Sequence, residues 1–336
     1  MADRSIGFGV IGLGRIGAFH AESLRSRIAG AHLVAAAVDA EHRARLEVEG
    51  TAPCPLEDSV PALLARADVE AVVVASPAVV HDEHIALAAA AGKPVFSEKP
   101  LADTVAKAEA AARAVEDAGV PFQIGFQRRY DRSYARAHEL ISAGAIGDVE
   151  MFRGMSCDRL GPIEFLRTSG GLFMDLASHD FDAARFLTGQ EVTEVLAIGA
   201  VLVEPELATF DDVDYGIVLM RFENGALGVV QEAWRAPYGY DIRAEVHGSK
   251  GKVVAEVDEK FPAALYDERG KVSARHDQFV ERFSDAYRDE VQAFVNALHA
   301  GSIPTPGIHD ALQTMRIAAA ATQSRKSGAW VRIDEV

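Results

Sequence analysis

Cysteine is nearly absent from this chain: Cys54 and Cys157 are the two it has in 336 residues. They form no Cys-x-x-Cys pair and no zinc-like cluster with histidine, which argues against a disulfide framework or a cysteine-held metal; no metal site is expected. A reducing, cytoplasmic setting is the simplest context. Long apolar runs are missing too. Runs such as AVVVA at 71–75 are far too short to span a bilayer. The N-terminus passes almost directly into a strand pattern, with no charged segment before a long apolar one, which argues against a signal peptide. Basic residues are in deficit. With 34 Lys and Arg against 50 Asp and Glu, the formal charge is −16. Such a surface repels phosphate backbones and anionic lipid, so nucleic acid and membranes are not expected partners. It exerts no long-range pull on an anionic substrate, although a local basic pocket can still bind one.

What remains is an ordinary globular composition, 49% hydrophobic, in a chain long enough for about two domains. Residues 5–11, SIGFGVI, read as a buried strand. GLGRIG follows, with Gly12, Gly14 and Gly17 in G-x-G-x-x-G spacing, then a helix, then a strand AHLVAAAVD that ends in Asp39. This strand, glycine turn, helix, strand and acid unit predicts a dinucleotide site. Gly12 permits the tight turn, Gly14 lets backbone approach a pyrophosphate, and Gly17 allows close helix–strand packing. The helix N-terminus offers N–H groups and partial positive charge to the phosphates. Asp39 can accept from ribose hydroxyls and would repel a 2′-phosphate, which favours NAD over NADP. His42, Arg43 and Arg45 nearby leave NADP open as the lesser choice.

The alternation continues through VEAVVVAS (69–76), a helix from His81, PVFS (94–97), an alanine-rich helix and VPFQIGF (120–126). The unit around APCPLEDSVPALLA is poorly marked. Alternating strands and helices predict an α/β domain over 1–123 with a doubly wound parallel sheet. Ligands lie beyond the carboxyl ends of such strands. That locates Ser76-Pro77 after one strand and Glu98-Lys99-Pro100 after the next. Lys99 should therefore emerge into the cofactor crevice. His81 is a candidate to line it, whereas His84 and His20 read as structural. The cofactor set is Gly12, Gly14, Arg15, Ile16, Gly17, Asp39, Ser76, Pro77, His81, Glu98 and Lys99.

Beyond residue 124 the alternation gives way to consecutive strands, with turns at ENG (223–225) and ERG (268–270). This predicts an α+β domain over 124–336 built on a large, mostly antiparallel sheet. Within it GGLFMDLASHDFDAARFL (170–187) reads as one helix. At about 100° per residue, Asp175, His179 and Asp182 share a narrow stripe, with apolar residues spread over the other side. A solvated face would give the same pattern.

SEKP (97–100), GFQRRYD (125–131), SGGLFMDLASHDFDAARFL (169–187) and APYGYDIRAEVHGSKG (236–251), after the GLGRIG opening, resemble the Gfo/Idh/MocA oxidoreductase family, most of all its inositol 2-dehydrogenase branch. The resemblance covers nearly the whole chain. It implies an N-terminal Rossmann domain for the cofactor and a C-terminal sheet that walls the substrate cleft and builds a homotetramer. It implies Lys99, Asp175 and His179 as the catalytic set, a cis Lys99–Pro100 bond, and Arg129, Asp182 and Tyr240 near the polyol. One departure stands out: such enzymes often read SRDP where this chain reads SCDR (156–159), and that stretch is expected to border the cleft.

The residues suit the implied chemistry. Oxidising a secondary alcohol removes a hydride from carbon and a proton from oxygen. His179, with an ordinary pKa of about 6.5, is a natural base. Asp175 can orient the ring and stabilise its cation. Lys99 can sit beside the developing alkoxide. A buried polyol needs a polar partner for each hydroxyl. The expected reaction is oxidation of myo-inositol to 2-keto-myo-inositol (scyllo-inosose). The alternatives are the same chemistry on scyllo-inositol or an aldose, a glycoside-cleaving enzyme that retains NAD, and an NAD-binding regulator, which would not need Lys99, Asp175 and His179.

Overall fold

The computed structural model describes residues 4–256, 259–268 and 270–336. They form two compact units. The first comprises the described residues up to Phe126 with Tyr287–Gln313, and the second those of Gln127–Ala286 with Thr314–Val336. The first unit contains β1 (Ile6–Ile11), α1 (Arg15–Ser26), β2 (Ala31–Ala37), α2 (Ala40–Glu49), β3 (Leu56–Glu57), α3 (Val60–Ala65), β4 (Ala71–Val74), α4 (His81–Ala90), β5 (Val95–Glu98), α5 (Val105–Ala118) and β6 (Phe122–Gly125). Its six strands are all parallel in the order β3-β2-β1-β4-β5-β6. The order reverses between β1 and β4, the place where such sheets bind dinucleotides. Every residue of β4 is buried, as expected for a strand covered on both faces. The poorly marked third unit proves to be a two-residue edge strand, β3, and a six-residue helix, α3, capped by Ser59. Elements that short carry no periodic signal.

The helix α1 turns Gly17, His20, Ala21 and Leu24 inward, the spacing of one helical face. That face joins a core of Phe8, Val10, Ala36 and Val73, and Val291, Phe294 and Val295 complete it. Each large apolar side chain buried there contributes about 1.5–3 kcal/mol. This packing is why 287–313 belongs with the first unit, whereas the sequence alone suggested a single division at 123.

The second unit holds α6 (Arg132–Ser142), β7 (Val149–Cys157), α7 (Ile163–Leu166), α8 (Gly171–Asp175), α9 (Ser178–Thr188), β8 (Val192–Ala200), β9 (Tyr215–Phe222), β10 (Leu227–Ala233), β11 (Asp241–Gly248), β12 (Gly251–Ala255), β13 (Glu259–Asp267) and β14 (Gly270–Arg275). Four more elements follow in the chain: α10 (Phe279–Arg282), α11 (Ser284–Ala300), α12 (Ile308–Ser327) and β15 (Val331–Arg332), of which α11 from Tyr287 and α12 up to Gln313 belong to the first unit. Seven strands form one sheet in the order β12-β11-β7-β10-β9-β8-β15, and β13 pairs with β14 separately. The pairing is antiparallel except between β7 and β10, which run parallel. The turn expected at 268–270 includes Arg269, outside the described residues.

Strand β9 shows how the sheet is faced. Gly216, Val218, Met220 and Phe222 are buried, while Ile217, Leu219 and Arg221 are exposed. One face therefore packs inward and the other is open. Among the described residues no helix is long and apolar enough to cross a membrane.

Candidate active site

The glycine turn after β1 has the geometry that its spacing predicts. Gly12 adopts φ +94°, and a Cβ there would lie 2.7 Å from the Ala75 carbonyl oxygen. A Cβ on Gly17 would collide with the Gly12 carbonyl oxygen, so the helix can approach the strand only without one. Gly14 is different: a Cβ there would meet nothing within 4 Å. It is also the N-cap of α1, and no side chain caps that terminus. The first N–H groups of α1 and the open backbone at Gly14 together fit a pyrophosphate. Arg15 and Ile16 are the first residues of α1.

Asp39 is exposed just beyond β2 and caps α2, with Oδ1 accepting from the His42 N–H at 2.8 Å. Arg43 is held by Glu47 at 2.8 Å and by Asp58. It is thus drawn away from a 2′-phosphate role, which supports NAD over NADP.

The loops after β4 and β5 are tied together by an imidazole. His81 is 2% exposed, with Nδ1 2.7 Å from the Pro100 carbonyl oxygen and Nε2 2.5 Å from that of Ser76. Burial pulls its pKa below the ordinary histidine value, although both carbonyls favour the cation. Its ring is enclosed between two backbone oxygens and braces the Ser76-Pro77 and Lys99-Pro100 turns. His84 bonds the Ser76 hydroxyl at 2.8 Å. Lys99 is half-buried, Pro77 is exposed, and the Lys99–Pro100 bond is cis.

In the second unit the expected single helix is two. It breaks after Asp175, where the Ala177 N–H donates five residues back, to the Leu172 oxygen, at 3.1 Å. Asp212 accepts from the Leu172 N–H at 3.0 Å and so fixes α8 at its start. Burial corrects the stripe as well. From Leu172 to Leu187 every residue is buried except Asp175, His179 and Phe186. Asp182, expected on the stripe with the imidazole, lies inside with a cationic partner, and so does its neighbour Asp180. Arg129 donates to Asp182 through Nε at 2.9 Å and Nη2 at 2.6 Å, a two-pronged pair, and its guanidinium lies 5.2 Å from the Phe186 ring centre. These two residues, expected at the polyol, engage each other. Tyr240 is buried, its ring edge-on to Phe283, and burial raises its pKa.

The SCDR departure is split by strand alternation. Ser156 faces α9 and hydrogen-bonds Asp180. Cys157 projects from the other face into a cluster with Ala233 and Ala236. The substituted position therefore points away from the helix that carries His179.

Two buried groupings escape sequence reasoning. His20 Nε2 lies 2.6 Å from Glu98, and Glu290 stands with them, their ligand-type atoms within 4.8 Å. Burial and the Glu98 charge raise the Glu290 pKa well above the carboxylate range. Nothing in the sequence links positions 20, 98 and 290. The second joins Arg128, Ser156 and Asp180, with Arg128 Nη2 at 2.8 Å from the Ser156 hydroxyl. Here a signal existed: an arginine doublet at 128–129 and two aspartates at 180 and 182, which pair one to one.

Comparison with known proteins follows the same division. The oxidoreductase family with an NAD-binding Rossmann fold matches residues 6–126, and the GFO/IDH/MocA C-terminal domain matches 134–254. The chain is 38% identical to myo-inositol 2-dehydrogenase of Thermotoga maritima, covering 98% of each. It is 35% identical to scyllo-inositol 2-dehydrogenase (NAD(+)) of Bacillus subtilis, covering 97% of this chain and 95% of that one. A crystal structure of scyllo-inositol dehydrogenase from Lactobacillus casei with bound NAD(H) and scyllo-inositol superposes with a TM-score of 0.90 at 33% identity, covering 98% of this chain and 99% of that one.

Proposed function

The chain belongs to the GFO/IDH/MocA family of NAD-binding oxidoreductases, and we propose that it oxidises a ring hydroxyl of a cyclic polyol, with myo-inositol going to 2-keto-myo-inositol (scyllo-inosose). The observation that carries this reading is selective burial. Asp175 and His179 are the two polar residues left partly exposed between Leu172 and Leu187, where Phe186 alone among the apolar ones shares that exposure. NAD, held at Gly12, Gly14, Gly17 and Asp39, supplies the hydride acceptor when bound. The remaining work falls to this chain's residues. His179 takes the proton from the substrate hydroxyl. Asp175, just before the helix break, orients the imidazole and balances the charge it gains. Lys99, held at the end of β5, stabilises the oxygen as negative charge develops. Arg129, Asp182 and Tyr240 shape the site by fixing α9 and its neighbours.

The full-length likeness to inositol dehydrogenases supports the substrate class. A second reading, scyllo-inositol as the better substrate, is supported by the likeness to enzymes named for it. A matrix of cyclitols and aldoses against NAD and NADP, read by absorbance of the reduced nicotinamide, tests both. The expected result is turnover of myo-inositol with NAD and slower turnover with NADP. Sugar release from a glycoside without reduced nicotinamide, or NAD binding with no polyol turned over, would refute the reading.

The same proposal includes assembly. Ile198 and Ile217 are cross-strand partners, as are Leu219 and Val229, on the open face of the large sheet. Ile198, Ile217 and Leu219 are all exposed there. A patch of that kind on a soluble enzyme joins copies of the chain.

A further inference from the structure

Glu232 stands opposite Ser156 in the parallel register of β10 and β7, so both side chains leave the sheet on the face that meets α9. Its carboxyl is 0% exposed, and neither oxygen meets an N–H or O–H donor among the described residues. The group it does meet is the Asp180 carboxyl. Asp180 is 0% exposed as well. Its Oδ2 accepts from the Ser156 hydroxyl and forms an ion pair with Arg128, whose Nη1 is 3.0 Å away outside hydrogen-bond geometry, while Oδ1 has no donor. Two acceptors thus face each other in the interior, and one guanidinium balances two carboxyls. Two ionised carboxylates would leave a buried charge uncompensated. One retained proton removes both problems, because a carboxylic acid is a donor.

We propose that Glu232 donates a hydrogen bond from its carboxylic acid to Asp180 and thereby positions the helix that carries His179. Gly154 clears the way for this contact: a Cβ there would sit 2.8 Å from Asp180 Oδ1. Around Glu232 stand Arg128 from the turn before α6, Asp180 from α9 and Ser156 from β7, with Tyr134 and Tyr240 beside Arg128 and the Cys157 thiol acting only through the sheet from its other face. Burial and the Asp180 charge push the Glu232 pKa well above the carboxylate range, and Arg128 pulls less strongly the other way. An acid whose pKa is raised on folding stabilises the fold most below its unfolded value, about 4.3. That contribution is lost as pH rises toward the folded value.

The experiment compares wild type, Glu232→Gln and Glu232→Ala. Infrared difference spectra should show a protonated carboxyl band in wild type at neutral pH that Glu232→Gln lacks. Glu232→Gln, whose amide donates at every pH, should gain thermal stability over wild type as pH rises. Its kcat should stay within about twofold of wild type, with the same pH profile. Glu232→Ala, which leaves Asp180 without its donor, should lose about tenfold or more in kcat with NAD affinity kept. The effect on kcat rests on the reading of His179 as the base, whereas the infrared and stability results do not. Absence of the band, or identical pH dependence of stability in wild type and Glu232→Gln, would overturn the hydrogen bond. Equal loss of kcat in the Gln and Ala variants would overturn the positioning role. If Glu232→Ala does not fold, Glu232→Gln alone still decides, by its band, its stability curve and its kcat.

Discussion

Gly12, Gly14 and Gly17 look alike in the sequence, but they are under different constraints. Gly12 and Gly17 are required by the protein's own backbone, whereas the space at Gly14 is open. Gly17→Ala should therefore destabilise the protein itself by about 1–3 kcal/mol in urea unfolding. Gly14→Ala should leave unfolding without NAD unchanged and weaken NAD binding, as read by titration calorimetry. Equal stability losses in both would show that Gly14 is a packing residue. His179→Ala and Lys99→Ala should keep NAD affinity and lose kcat by roughly 10²–10⁴-fold, the range for a removed acid–base or charge-stabilising group. An unchanged kcat in either variant would remove that residue from the mechanism.

At the scale of elements, the two sides of a strand decide what a substitution means. Ser156 and Glu232 share one face of the sheet, Cys157 and Ala233 the other. Cys157→Ala should accordingly leave the ratio of kcat/KM for myo- and scyllo-inositol unchanged. A shifted ratio would bring that position back into specificity. The elements themselves were legible where they were long and periodic. The strands β1 and β4 and the helix α1 follow from sequence pattern alone. Helices α8 and α9 have the sequence pattern of one helix because their joint lacks glycine and proline, and only the displaced hydrogen bond at Ala177 reveals it. Their acids looked like a solvated or ligand-facing stripe because charge in sequence does not disclose its partner. Arg129, some fifty positions away, turns the stripe's Asp182 into an internal strut, and Arg128 does the same to its neighbour Asp180. The bracing role of His81 is hidden for a related reason: position after a strand places a residue near a crevice, but the direction of its ring depends on the carbonyls of Ser76 and Pro100.

At the scale of the molecule, the return of 287–313 to the first unit was invisible, because a helix pattern does not say which core it fills. The open sheet face is the other feature set at this scale. Leu219→Asp, a change on exposed surface, should leave the fold intact and lower the assembled mass in sedimentation toward that of a single chain. An unchanged mass would place the interface elsewhere. The central claim is direct transfer of hydrogen from a ring carbinol to the nicotinamide, and isotope transfer tests it most directly. With myo-inositol deuterated at the carbon that becomes the ketone, the reduced nicotinamide recovered should carry the deuterium, and turnover should slow. Reduced nicotinamide without the label, or none formed by a protein that binds NAD, would contradict the account.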